Sequence, residues 1–182
     1  QFDADFVGTK NLQADAELCI LISEILEKCG LVKDDYTVKI SSRKFTDKLF
    51  EQLKIQSKDQ ISTTLRALDK MDRLGWEEVK KLLGKGRKDK SGDYTKGANL
   101  TNDQIKIIED TLKNKNSNCE DVDEIIKIFK AYDFKNYIFD PSVIRGLEYY
   151  TGAIFEVNLN FEVKNSKGKT IQFGSIGGGG RY

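Results

Sequence analysis

Arg145-Gly-Leu-Glu-Tyr-Tyr-Thr-Gly152 places one guanidinium and two phenols close together, and Gly174-Ser-Ile-Gly-Gly-Gly-Gly-Arg-Tyr182 follows about two dozen positions later. A guanidinium is permanently charged and has a planar fork, so Arg145 suits a phosphate or carboxylate and can stabilise negative charge without moving a proton. Gly146 beside it permits close approach of backbone or ligand. On an extended backbone Tyr149 and Tyr150 point to opposite sides, so one can enter a site while the other packs; a phenol there holds a ring by contact and offers a hydroxyl. The run Gly177-Gly178-Gly179-Gly180 is not GxGxxG and opens no helix, so it is not read as a dinucleotide loop. Four glycines at the end of a strand admit close backbone approach, with Arg181 and Tyr182 alongside. Structural readings exist for each part: an ion pair of Arg145 with Glu148, and a flexible glycine linker. Taken together, the residues read as a small-ligand site around one β-hairpin.

The elements that must carry this site follow from periodicity. Phe2, Ala4 and Phe6 alternate with Gln1, Asp3 and Asp5, which predicts a half-buried strand over 1–8 whose polar face gathers an amide and two carboxylates, either as a grip or as solvated sheet surface. Asn11 to Cys29 reads as a helix with Gly30 at the C′ position. Tyr36 to Ser41 alternates as a strand, and Lys44 to Leu53 resumes helical spacing. From 57 to 134 the chain reads as short helices without strands: Asp59 to Arg73, Trp76 to Leu83, one after the capping box Thr101-Asn-Asp-Gln104, and one carrying Val122, Ile125, Ile126 and Phe129. Gly84 to Gly97, glycine-rich and basic, is expected to be a mobile loop. Tyr137 to Phe139 is strand-like, Pro141 marks a turn, and Phe155 to Val163 alternates as the clearest strand, with a turn at Asn165 to Gly168 and a return strand through Thr170, Ile171 and Phe173. The expected organisation is α+β: a core segment at 1–56, a helical insertion at 57–134 and a second core segment at 135–182.

The 182 residues carry 30 basic and 29 acidic side chains, so overall charge names no partner. Locally, 70–96 holds nine basic and five acidic residues, against five and eight in 100–133; the basic lobe suits phosphates or is a solvated loop. Cys19, Cys29 and Cys119 lack paired spacing, and with no histidine no zinc site forms; free thiols in a reducing cytoplasm are expected. No apolar run is long enough to span a bilayer, and no signal peptide is evident. Both ends lack a cap or tail, so the chain reads as a piece of a longer polypeptide.

The combination of Arg-Gly-Leu-Glu-Tyr-Tyr-Thr-Gly, a strand with Phe-Glu, and Gly-Gly-Gly-Arg-Tyr resembles the histidyl-tRNA synthetases. Gln1-Phe-Asp-Ala-Asp-Phe-Val-Gly8 with Asp15-Ala-Glu17 looks like that family's motif 2 strand and the helix after it. Leu65 to Gly75, running into Trp76-Glu-Glu-Val-Lys80, looks like its helical insertion. The resemblance implies part of the class II synthetase antiparallel sheet flanked by helices, with an all-α insertion domain. It implies a two-step reaction, histidine and ATP (with Mg2+) giving histidyl-adenylate, then transfer to histidine tRNA, by a cytoplasmic homodimer. By position, Gln1 and Asp5 hold the α-amino group, Arg145 is catalytic at the α-phosphate, and Tyr150 and Tyr182 line the imidazole pocket, with Tyr149, Gly178, Gly179 and Gly180 shaping its walls. Neutral imidazole has one donor and one acceptor, which phenol and carboxylate groups can read. The insertion is implied to clasp the tRNA acceptor stem, with Lys85, Arg87, Lys88 and Lys90 of its basic loop as candidates.

Ser41-Ser-Arg43 departs from an Asn-containing triplet common in the family. The chain as given lacks the motif 1 helix, the motif 2 loop arginine, the motif 3 arginine and the anticodon-binding domain, so it is expected to be inactive alone. The competing reading is the non-catalytic regulatory subunit of ATP phosphoribosyltransferase, which shares this fold; Arg145 and the long insertion argue for the synthetase.

Overall fold

The computed structural model describes residues 1–114, 116–144, 149–171 and 174–182. Helix α1 (Leu12–Lys28) starts where the Asn11 side chain accepts the Gln13 N–H and stops before Gly30, whose φ of 102° suits a residue without Cβ. Strand β1 (Tyr36–Ser42) leads directly into α2 (Arg43–Gln52), capped by the Ser42 hydroxyl. Helices α3 (Lys58–Leu68), α4 (Met71–Leu74) and α5 (Trp76–Leu83) follow, then strands β2 (Gly86–Lys88) and β3 (Tyr94–Lys96). Helix α6 (Asn102–Lys113) opens on the expected capping box, Thr101 and Gln104 bonding reciprocally, and α7 (Glu120–Ala131) completes the helices. The remaining strands are β4 (Tyr137–Phe139), β5 (Ala153–Leu159), β6 (Val163–Lys164), β7 (Thr170–Ile171) and β8 (Gly177–Gly180).

The main sheet has the order β4-β1-β5-β8, with β4 parallel to β1 and the other pairs antiparallel. Helices α1 and α7 cover one face, where Tyr36, Val38, Ile40, Phe155 and Val157 meet Ala16, Cys19, Val122 and Phe129. A second core joins α2, α3, α5 and α6 through Leu49, Leu68, Val79, Leu83 and Ile108. Val143, Ile144 and Ile154 belong to this second core. Each is nearly fully buried; at about 1.5–3 kcal/mol for each such side chain, as an upper estimate, they fasten the sheet to the helical block by several kcal/mol.

Several expectations are corrected. Residues 1–10 form no strand: Phe2 and Val7 are 73% and 86% exposed, and among the described residues no strand takes their hydrogen bonds. Alternation prepares a strand, but a neighbour must complete it. The basic segment is a hairpin rather than a loop, so the helical region does contain strands. Its turn is closed by Asp89, whose carboxylate accepts from the Ser91 and Asp93 N–H groups, with Gly92 at φ 93°. The helix predicted over Asp59 to Arg73 is two, α3 ending at Leu68 and α4 starting at Met71. The long strand predicted through Val163 stops at Leu159, where Asn160 turns to bond the Asp34 carbonyl and the Thr37 hydroxyl. The glycine run is itself the edge strand β8, and Phe173 lies outside the described residues.

Candidate functional site

The tyrosines of the two motifs come together. The rings of Tyr149 and Tyr182 stack at 5.3 Å, and Tyr149 meets Tyr150 edge-on at 5.4 Å. Tyr149 is exposed whereas Tyr150 packs against the second core, so the two differ in burial as expected, although neither is in a strand. The Tyr182 hydroxyl donates to Asp5 Oδ1 at 3.4 Å, joining residues 177 positions apart. The Asp5 carboxylate, with a smaller contribution from burial, raises the Tyr182 phenol above its ordinary pKa. Gln1 instead donates to Asp3, at 3.2 Å, and among the described residues no hydrogen bond joins it to Asp5.

The glycines of β8 are demanded by their neighbours. A Cβ at Gly179 would sit 2.8 Å from the Phe155 ring, and one at Gly180 would sit 2.8 Å from the Tyr150 ring and 2.9 Å from the Ala153 carbonyl. The antiparallel register Phe155 to Gly179 and Ile154 to Gly180 fixes both approaches.

Sequence reading left Arg181 only beside the site; the fold uses its whole guanidinium elsewhere. It ion-pairs with Asp15 through Nη2, Nε reaches the other carboxylate oxygen at 3.3 Å, and two further N–H groups donate to the carbonyls of Thr9 (3.1 Å) and Asn11 (2.9 Å). Arg181 therefore fastens the end of β8, and Tyr182 next to it, to the start of α1. The end of the Tyr-Tyr-Thr-Gly segment is also pinned: the Thr151 N–H donates to the Arg181 carbonyl at 2.7 Å and the Arg43 N–H to the Gly152 carbonyl at 2.8 Å. That second bond gives Ser41-Ser42-Arg43 a place in the site's support, which its sequence alone did not disclose.

Register partners Lys39, Glu156 and Gly178 share the sheet face away from α1 and α7. Glu156 is buried there, and Lys39 ion-pairs with Asp140 at 3.1 Å. Burial opposes charge on Lys39, but Asp140, aided by Asp72 and Glu156, more than offsets it and raises the lysine pKa. Burial likewise opposes charge on Asp140, but the Ser142 hydroxyl and N–H, with Lys39, hold its carboxyl below the usual range. The catalytic candidate Arg145, with Gly146, Leu147 and Glu148, lies outside the described residues.

In the β2–β3 hairpin, Lys85, Lys88 and Lys90 are exposed. Arg87 is largely covered, its Nε 3.0 Å from Glu78 Oε2 as an ion pair without hydrogen-bond alignment. A groove of about 580 Å³ beside the hairpin is lined by Lys80, Lys81, Lys85, Asn99 and Asn102. The three cysteines are free, Cys19 and Cys119 buried; burial and the Asp15 carboxylate push the Cys19 thiol upward, which keeps it protonated and unreactive at neutral pH. Among the described residues no helix is long and apolar enough to cross a membrane.

The fold matches the crystal structure of histidyl-tRNA synthetase from Nostoc sp. PCC 7120 with a TM-score of 0.66, covering 83% of this chain and 37% of that one at 21% identity. It also matches an ATP phosphoribosyltransferase regulatory subunit/histidyl-tRNA synthetase from Bacillus halodurans C, with a TM-score of 0.58 over 84% of this chain and 41% of that one at 18% identity. A helix-flanked, mostly antiparallel sheet of this kind is the fold of a class II synthetase-like core. The family model for histidyl-tRNA synthetase matches residues 1–182. Histidine–tRNA ligases of Bartonella quintana (strain Toulouse) and Rhizobium meliloti (strain 1021) are each 42% identical over the whole of this chain. The chain belongs to the histidyl-tRNA synthetase family, and it spans 41–42% of the length of these curated relatives.

Proposed function

We propose that the chain is the histidine-binding part of a histidine–tRNA ligase, which activates histidine with ATP and passes it to histidine tRNA. The observation that carries this reading is the Asp5–Tyr182–Tyr149 cluster: a carboxylate, a phenol hydroxyl and a ring face gathered from opposite ends of the chain. The Tyr182 hydroxyl and the Tyr149 ring would bound the imidazole, and the Asp5 carboxylate beside them would lie toward the substrate's ammonium. Tyr150 and Gly178 to Gly180 would bound the same pocket, and Gln1 with Asp5 would take the α-amino group. Arg145 would face the α-phosphate, offering fixed positive charge where charge builds as the adenylate forms. ATP is a substrate here, and Mg2+ would arrive bound to it. The working protein is proposed to be a cytoplasmic homodimer.

Residues 57–134 are proposed to act as the insertion that meets the tRNA acceptor stem. Lys85, Lys88 and Lys90 fit phosphate contact; Arg87, already paired with Glu78, fits support of the hairpin. The regulatory-subunit reading has weaker support, since the relatives sharing 42% identity are named as ligases.

The test uses the full-length protein. Arg145→Ala should cut histidine-dependent pyrophosphate exchange by about two orders of magnitude or more while far-UV dichroism is unchanged; near-normal exchange sinks the role of Arg145. Neutralising Lys85, Lys88 and Lys90 together should weaken tRNA charging and spare exchange, and unaltered tRNA affinity would remove the hairpin from the RNA contact.

A further inference from the structure

Tyr94 stands on β3 with 59% of its surface exposed, yet its hydroxyl is tied down. It donates to the Lys85 carbonyl at 2.6 Å, an oxygen that also accepts the Gly97 N–H at 3.0 Å. The hydroxyl sits over Gly86, where a Cβ would come within 2.8 Å of it. The ring is thus fastened at both ends, by its own strand and by the residue that leads into β2. A surface ring held in this way has already given up its rotamer freedom, so covering it costs little further entropy.

The register pairs Lys88 with Tyr94 and Gly86 with Lys96, so these four share one face of the hairpin, while Arg87 points the other way to Glu78 of α5. Lys88 lies directly across from the ring and Lys96 two positions along its own strand, both exposed, as are Lys85 and Lys90. Residues 85–96 hold five basic and two acidic side chains. The two acids are engaged within the turn: Asp89 accepts from the Ser91 and Asp93 N–H groups and from the Ser91 hydroxyl at 2.6 Å, and Asp93 Oδ2 lies 3.2 Å from that hydroxyl. An open ring among ammonium groups matches a partner in which rings alternate with negative charge, as in an unpaired stretch of nucleic acid. An acidic peptide would supply the charge without the ring.

We infer that Tyr94 is a stacking platform for an unpaired base of the RNA, with the phosphates flanking that base held by Lys88 and Lys96. This rests on the hairpin being an RNA contact, and it adds a contact that a duplex cannot make. Lysines attract any phosphate backbone, whereas the ring selects the part of it whose bases are unstacked.

The experiment measures binding of the full-length protein to histidine tRNA, to an unstructured oligouridylate and to a blunt-ended RNA duplex over a range of salt. Tyr94→Leu should weaken binding of the tRNA and the oligouridylate roughly 5- to 100-fold, with the duplex affinity and the salt slope unchanged. Tyr94→Phe, which keeps the ring and loses the bond to Lys85, should stay close to wild type. Neutralising Lys88 and Lys96 should weaken all three complexes and lower the salt slope by about 1 per lysine. Wild-type affinity in Tyr94→Leu overturns the proposal. So does an equal loss on the duplex, or a loss in Tyr94→Phe as large as in Tyr94→Leu, since either assigns Tyr94 to bracing the hairpin. Competition by polyglutamate as strong as by oligouridylate points to an acidic protein partner and overturns it too. Should Tyr94→Leu disturb the fold by far-UV dichroism, Tyr94→Thr, with the β-branched side chain that strands favour, is read by the same criteria. Unaltered tRNA affinity after neutralising Lys85, Lys88 and Lys90 defeats the RNA contact itself, whereas a loss there beside full affinity in Tyr94→Leu defeats only the platform.

Discussion

Replacing Arg181 by methionine keeps a stem of similar reach over Gly152 but removes the guanidinium from Asp15, Thr9 and Asn11. The Asp15 side chain is 10% exposed and that of Arg181 21%, so the carboxylate would be left inside with little water to replace its partner. Breaking a buried pair from one side costs about 3–5 kcal/mol, and the one-fifth exposure of the arginine lets solvent recover part of that. The expected destabilisation is therefore roughly 2–4 kcal/mol, which includes the bonds to the Thr9 and Asn11 carbonyls. Urea unfolding of the full-length protein should show a lower midpoint at unchanged slope. Because Tyr182 follows Arg181 and is held with it, histidine affinity should fall as well. The control is Arg181→Met with Asp15→Asn, which removes the stranded charge and should regain most of the stability. A change below about 0.5 kcal/mol in the single variant, or a double variant no more stable than the single, would refute the clamp.

Three further outcomes are expected. Asp140 has a folded pKa below its ordinary value, so its contribution is present above the unfolded pKa of about 3.9 and is lost as pH falls through the folded value; the stability gap between wild type and Asp140→Asn should be widest near neutrality and close below about pH 4, and a gap independent of pH contradicts this. Gly180→Ala must displace the Tyr150 ring or part β8 from β5, with an expected destabilisation of about 1–3 kcal/mol and weaker histidine binding by calorimetry; wild-type values for both would show that the strand tolerates a side chain. In phenolate absorbance, assigned by difference from Tyr182→Phe, Tyr182 should titrate above the ordinary value of about 10 and come down in Asp5→Asn, and an unmoved titration breaks the Asp5 contact.

The helices were legible because their signals are local. The glycine stop at Gly30, the capping box at Thr101 and Gln104, and the stripes of α2, α5 and α7 each lie within a few turns of sequence. Strands were harder, since pairing is a property of two segments. The alternation in 1–8 found no partner among the described residues, Lys88 and Tyr94 paired across a turn read as a loop, and β8 formed from glycines that have no strand preference of their own. For the site, the structure brings Tyr149, Tyr150 and Tyr182, which the two motifs carry about thirty positions apart, into ring contact. Long-range bonds were not legible: nothing near Arg181 announces Asp15, 166 positions away, and nothing near Lys39 announces Asp140.

Phe155 presses on the backbone of Gly179 from the α1 and α7 side, and Tyr150 presses on that of Gly180 from the opposite face. A partition one backbone thick transmits whatever presses on it. Packing beneath the sheet and recognition above it are consequently one trait: a lineage that altered the volume of Phe155 would also retune the seat of Tyr150, and selection on either would be felt at both.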